Sequence, residues 1–198
     1  MSHPLRRITK SSKFLLVIGI IAALLSAGVS VLFPLQYRAD AGVLIVSQSR
    51  YGVDPYTVVK SAERVGENIV QVMKTNDFFE KVKVQEGYTI DWNHFDTLSE
   101  QKKRKRWQKD VQGSVVFGTG VLNISAYSTE KAEARALAGA AADTLVSKGW
   151  QYVGGDVTMQ VVNRPVVTEW PARPHVLFNA IIGFVVGVLL GAFAVVRR

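Results

Sequence analysis

The chain has 198 residues, 48% of them hydrophobic and 20% charged, and it contains no cysteine. That balance excludes a disordered polymer, and the missing cysteines exclude a disulfide scaffold, a thiolate metal site and a cysteine nucleophile. The formal net charge of +8 suggests nucleic acid only until the charges are placed. Residues 34–175 hold all 16 acidic side chains and 18 of the 24 basic ones, a net of +2. The other six, Arg6, Arg7, Lys10, Lys13, Arg197 and Arg198, lie in two short tails, so no nucleic-acid partner is expected.

Between the tails and the centre lie two uncharged apolar stretches, residues 14–33 and 176–196. At about 1.5 Å rise per residue each makes a helix roughly 30 Å long, the thickness of a bilayer's hydrocarbon core. Both are expected to be transmembrane helices in contact with membrane lipid. The first begins with basic residues, as a secretory signal does. Its apolar run is too long for a typical signal, and no small-x-small cleavage site precedes a polar start, so it reads as an uncleaved anchor. The tails carry six Lys/Arg close to the spans, against Arg38, Arg50, Arg164 and Arg173 on the central side. The positive-inside bias then puts residues 1–13 and 197–198 in the cytoplasm and the central segment outside.

The central segment reads as one extracytoplasmic α/β (α+β) domain over 34–175, about 140 residues and large enough for its own core. Tyr37–Ser47 is rich in β-favouring residues and predicts a strand. Asp54-Pro55 opens a helix. Val58, Val59, Ala62, Val65, Ile69, Val72 and Met73 recur at helical spacing, which carries it to about residue 75. Asn76-Asp77 is an expected cap before Phe78-Phe79. Residues 86–107 form a polar excursion with Tyr88, Trp92 and Phe95, and a short helix is expected after Thr97 or Ser99. Residues 111–127 hold two apolar runs broken by Gly118-Thr119-Gly120, which fits a hairpin and a single irregular strand alike. Thr129 is placed to cap an alanine-rich helix reaching about Lys148. Gly154-Gly155 then turns the chain into a last strand over 157–163, followed by a proline-marked return to the membrane over 163–174.

This organisation resembles the polysaccharide co-polymerases, the Wzz or chain-length determinant family. The resemblance covers nearly the whole chain. Its marks are the basic tail and first span, the Tyr37-Arg-Ala-Asp40 strand opening and the 124–130 junction ISAYSTE with its alanine-rich helix. The last is the segment NRPVVTEWPARP over 163–174, directly before the second span. The resemblance implies a non-enzymatic, homo-oligomeric membrane scaffold in the bacterial cytoplasmic membrane. It would set the chain length or export of a surface polysaccharide (O-antigen, capsule or exopolysaccharide), working with a polymerase or export machine. Two departures point to a short, adaptor-like member. The region between the first helix and Val111 is short where many relatives carry a long helical extension. The chain also ends at Arg198 without a GxxxxGK[ST] motif, so any tyrosine kinase is expected as a separate polypeptide.

The residues offer little for catalysis, and no enzyme, cofactor or metal is expected. His3, His94 and His175 are scattered, and no nucleophile elbow or zinc motif is present. Glu63 with Glu67, and Glu130 with Glu133, share helix faces beside Lys60, Arg64 and Lys131, which reads as solvated surface charge. Lys102, Lys103, Arg104, Lys105 and Arg106 form a basic run before Trp107. A solvated helix face is the expected reading, with contact to an anionic polysaccharide or lipid phosphate as the functional alternative.

In the second span Gly183, Gly187 and Gly191 recur every four residues, with Gly19, Ala23 and Ala27 as a complement in the first. Close helix packing is expected there, within or between protomers. Pro165, Pro171 and Pro174 suggest a stiff strut before the second span, with Trp170 as an interfacial anchor. The alternative function is a two-span sensor or adaptor subunit signalling to a separate cytoplasmic kinase.

Overall fold

A computed structural model describes residues 11–47, 54–153 and 157–197, which fall into two compact units. The expected Gly154-Gly155 turn and most of the basic tails lie outside the described residues.

The first unit, residues 1–35 with 172–198, contains two helices, α1 (Ser12–Val31) and α8 (Val176–Arg197). Both are long and apolar enough to cross a membrane. Their leucines, isoleucines, valines and phenylalanines are largely exposed, Leu24, Leu25, Leu189 and Leu190 among them. That is the surface lipid requires and water penalises.

The second unit, 36–171, is mixed α/β. Its elements in chain order are β1 (Tyr37–Ser47), α2 (Pro55–Val72), α3 (Asn76–Lys83), α4 (Asn93–Asp96), α5 (Glu100–Asp110), β2 (Val111–Val116), β3 (Val121–Ser128), α6 (Lys131–Lys148), α7 (Trp150–Val153) and β4 (Val157–Val167). The four strands form one sheet in the order β2-β3-β1-β4, with β1 antiparallel to both β3 and β4. This is a β-α-β-β-α-β connection in the split, ferredoxin-like arrangement.

Period-2 burial explains how the helices sit on the sheet. Ala39, Ala41, Val43 and Ile45 of β1 and Leu122, Ile124 and Ala126 of β3 are all buried. They meet Ala62, Ile69 and Met73 of α2 and Ala134, Leu137, Ala138, Ala141 and Leu145 of α6 in one core. The alternate residues Asp40, Asn123 and Ser125 are only partly buried, as a half-covered antiparallel sheet requires.

The ambiguous 111–127 stretch is a hairpin. Gly118 and Gly120 take φ of +77° and +65°, which a side chain would resist, so the glycines that blurred the pattern make the turn.

Several expected boundaries move. The cap before Phe78-Phe79 is Thr75, whose hydroxyl accepts from the Phe78 N–H, and Asn76 and Asp77 are already helical. Thr129 makes no cap to α6. Instead Ser128 Oγ accepts from the Glu130 N–H at 3.2 Å and donates to Glu133. The last strand runs four residues beyond 163, to Val167.

The polar excursion is also less polar than its composition suggests. Phe95 and Trp107 are buried with Phe78 and Phe79, and the Phe79 and Trp107 rings stand edge-on at 5.2 Å between centroids. Trp107 Nε1 donates to the Met73 carbonyl at 2.7 Å, and Gln108 Nε2 donates to the Lys74 carbonyl at 3.2 Å. Side chains of α5 therefore satisfy carbonyls that the end of α2 leaves open.

Candidate functional site

The basic run lies on α5, with Trp107 as its anchor. Its five charges divide into two groups. Lys103 pairs with Glu100 at 3.0 Å and leans over the Phe79 ring, while Arg106 Nε donates to Asp110 at 2.5 Å. Lys102, Arg104 and Lys105 are exposed and make no ion pair among the described residues. The run is thus a three-cation outer face with two members turned to local carboxylates.

The three prolines of the expected strut fall in different places. Pro165 is inside β4, where Arg164 and Pro165 stand opposite the single residue Ala41 in a bulge. An edge-strand bulge tolerates a residue without an N–H, which is why the strand continues through it. Pro171 is the last residue of the α/β unit, and Pro174 belongs to the unit of the two spans.

Within that two-helix unit the glycine face of α8 meets α1. A Cβ on Gly187 would come within 2.5 Å of Ala22 Cβ and 3.0 Å of the Ile18 carbonyl. One on Gly183 would meet Ser26 Cβ at 2.6 Å, and one on Gly191 would meet Leu15 at 3.0 Å. Gly19 faces Phe184 and Val188. Within one chain, then, these glycines pack against α1. The α1 atoms against these glycines come from Leu15, Ile18, Gly19, Ala22 and Ser26, while the expected Ala23 and Ala27 are half-buried.

A polar clasp joins the same two helices and has no counterpart in the sequence reading. Ser26 Oγ donates to the Asn179 carbonyl at 2.8 Å, Asn179 Nδ2 donates to Ser30 Oγ at 2.8 Å, and Ser30 Oγ donates to the Ser26 carbonyl at 2.9 Å. Each side chain that would be costly in hydrocarbon has a partner.

The α/β unit also holds a groove of about 770 Å³, lined by the 87–89 loop, one face of α6 and β4. Its α6 wall is Ala132, Arg135, Ala136, Gly139, Ala142 and Asp143. Those positions recur at helical spacing on one face. Across from them stand Tyr88, Val161, Arg164 and Pro165. Tyr88 lies on the helix at Gly139, where a Cβ would be 2.7 Å from its Cε1, and its hydroxyl donates to Asp143 Oδ2 at 2.5 Å. Burial first, then that bond, push the phenol pKa up to about 12, with Arg164 pulling it the other way. Tyr88 therefore stays a neutral donor. No motif in the sequence joins residues 88, 135, 143 and 164; only the helix period on α6 hinted at a shared face.

A neighbouring pocket of about 550 Å³ is acid-rich, with Asp91, Asp110, Glu130 and Glu133 beside His94 and Arg106. Glu133 has one buried oxygen without a hydrogen-bond partner. Among the described residues no group of three or more His, Asp or Glu side chains is placed to hold a metal ion.

Glu63 corrects the surface-charge reading. It is 6% exposed, bonds Lys60 at 2.9 Å and accepts from the Gly118 N–H, pinning the hairpin turn to α2. Lys60, then that N–H, hold its carboxyl below the usual range. No family model matches the chain, and no curated protein matches it.

Proposed function

We propose that this chain is a non-enzymatic, oligomeric scaffold of a bacterial cytoplasmic membrane that regulates the chain length or export of a surface polysaccharide. The observation that carries this reading is an α/β unit with its own core, preceded and followed in the chain by helices long and apolar enough to cross a membrane. Both tails are then cytoplasmic and the α/β unit extracytoplasmic, by the excess of Lys/Arg in the tails. The ordered marks that resemble the co-polymerases support the polysaccharide assignment. On this reading the protein acts by holding and positioning, with a polymerase or export machine as partner, and any tyrosine kinase is a separate polypeptide. O-antigen, capsule and exopolysaccharide are the candidate polymers.

The test is deletion in the native host, followed by analysis of the surface glycan. A scaffold controls polymer synthesis without forming bonds, so the length distribution or surface amount changes while sugar composition and linkages stay the same. An unchanged glycan, with no redundant homologue in the host, refutes the reading. The second reading, a two-span sensor, draws on the groove beside α6, which has room for a small ligand. A sensor's deletion would alter gene expression and leave the length distribution of the polymer made intact.

A further inference from the structure

We propose that the groove between α6, β4 and the 87–89 loop binds an anionic sugar unit, with its carboxylate or phosphoester held by the guanidiniums of Arg135 and Arg164. The sugar rests on the polysaccharide reading; the anion rests on the groove itself.

The charge argument comes first. Two arginines and one aspartate line the groove, and the aspartate is already occupied on one oxygen by the Tyr88 hydroxyl. Neither Arg135 nor Arg164 makes an ion pair among the described residues, and both are exposed. Arg38 and Arg106, by contrast, are each paired with an aspartate. A free guanidinium presents a planar fork that matches a carboxylate or phosphate oxygen pair, which an ammonium does not. The adjoining pocket is dominated by carboxylates, so an anion is directed to this groove rather than to its neighbour.

Shape points to a sugar rather than a bare ion. The volume of about 770 Å³ is far larger than one phosphate needs, and it falls in the usual range of about 300–1,000 Å³ for small-ligand sites. The wall formed by Ala132, Ala136, Gly139 and Ala142 carries no polar side-chain atom, and it suits the C–H face of a pyranose. At its rim Asp143 Oδ1 remains to accept from a ring hydroxyl. The groove is built before any ligand arrives. Gly139 lets Tyr88 rest on the helix, and the Tyr88–Asp143 bond fixes both side chains, which lowers the ordering cost of binding. The bulge at Arg164-Pro165 sets Arg164 at the groove's edge, a common use of bulges.

The experiment is calorimetric titration of the whole chain in a polyoxyethylene detergent, which contains no sugar. Tri-galacturonic acid supplies the carboxylate, glucose 1-phosphate the phosphoester, and maltotriose the neutral control. At least one anionic probe should bind, and Arg135→Gln and Arg164→Gln should each weaken it by about tenfold or more, as expected for a lost charged hydrogen bond. The probe that binds identifies the source of the anion. Because both arginines are exposed, the variants should keep the parent's melting temperature. The proposal is overturned if neither anion binds, or if maltotriose binds equally well. It is also overturned if binding survives both arginine variants. Its failure is separable from that of the scaffold reading: a glycan changed by deletion, with no anion bound in the groove, sinks only the groove.

Discussion

Replacing Trp107 with alanine should remove a large share of the α/β unit's stability. The indole is 1% exposed and packs on Phe78, Phe79 and Phe95 at centroid distances of 6.5, 5.2 and 6.2 Å. Truncating such a residue costs about 3–5 kcal/mol, cavity included. Losing the Nε1 donor also strands the Met73 carbonyl, and an unsatisfied buried group costs about 1–3 kcal/mol. The two figures overlap, because the first already contains part of the second. About 4 kcal/mol is therefore expected for Trp107→Ala, against a total of about 5–15 kcal/mol for a domain of this kind. Trp107→Phe keeps much of the ring packing and isolates the hydrogen bond, at about 1–3 kcal/mol. The assay is urea unfolding of the 36–171 unit, which has its own core, followed by far-UV circular dichroism. The midpoint should fall in the order parent, Phe, Ala at constant slope. Lys105→Ala, on the exposed side of α5, should stay within about 0.5 kcal/mol of the parent. A loss below about 1 kcal/mol for Trp107→Ala would show that the aromatic cluster is not part of the cooperative core.

Gly187→Leu should disrupt the α1–α8 pair while Gly28→Leu should not, because a Cβ at Gly187 meets Ala22 at 2.5 Å and one at Gly28 meets nothing within 4 Å. Overpacking of this kind costs about 1–3 kcal/mol. Oxidative cross-linking between cysteines at Ser26 and Asn179 reads it, and equal yields in the two variants would refute close packing. Glu63 has a depressed carboxyl in the folded state, so its contribution is present above its unfolded value near 4.5 and is lost as pH falls through the folded one. Glu63→Gln should accordingly lower the melting temperature at pH 7, and the gap from the parent should close toward pH 3; a gap that stays constant with pH would show that ionisation is not what pins the turn. For orientation, a cysteine at Lys105, which is exposed, should react with an impermeant thiol reagent in intact cells and one at Ser2 should not. Ser128 is unsuitable for this purpose, being 7% exposed and bonded to Glu133. The reverse labelling pattern would invert the topology.

Long periodic elements were legible. The apolar spacing from Val58 to Val72 places α2 to within three residues of its end, and the alanine run places α6. The failures share a cause: a local signal outweighed by a distant partner. Pro165 marks the end of a strand by its own chemistry, yet pairing with β1 carries β4 past it. Glu63 looks solvated beside Lys60, yet its carboxylate reaches a hairpin turn that lies 55 residues along the chain. The lysines and arginines of α5 hide that Trp107 faces inward, where it completes the end of α2. The groove was the least legible feature. Its alanine wall reads as core, and its polar members come from three separate segments that only the sheet order and the 87–89 loop bring together.

The bulged end of β4 also limits how copies of this chain can join. An edge strand normally offers a neighbour a continuous ladder of donors and acceptors. Here two register shifts fall between Asp40 and Val43, and the proline within them has no N–H to give. Over that stretch β4 cannot template a strand from a second molecule. On the scaffold reading proposed above, copies that met at this stretch would have to join through side-chain surfaces, whose fit depends on identity and charge at each position. A peptide that invades sheet edges would find no continuous ladder at the bulged end of β4.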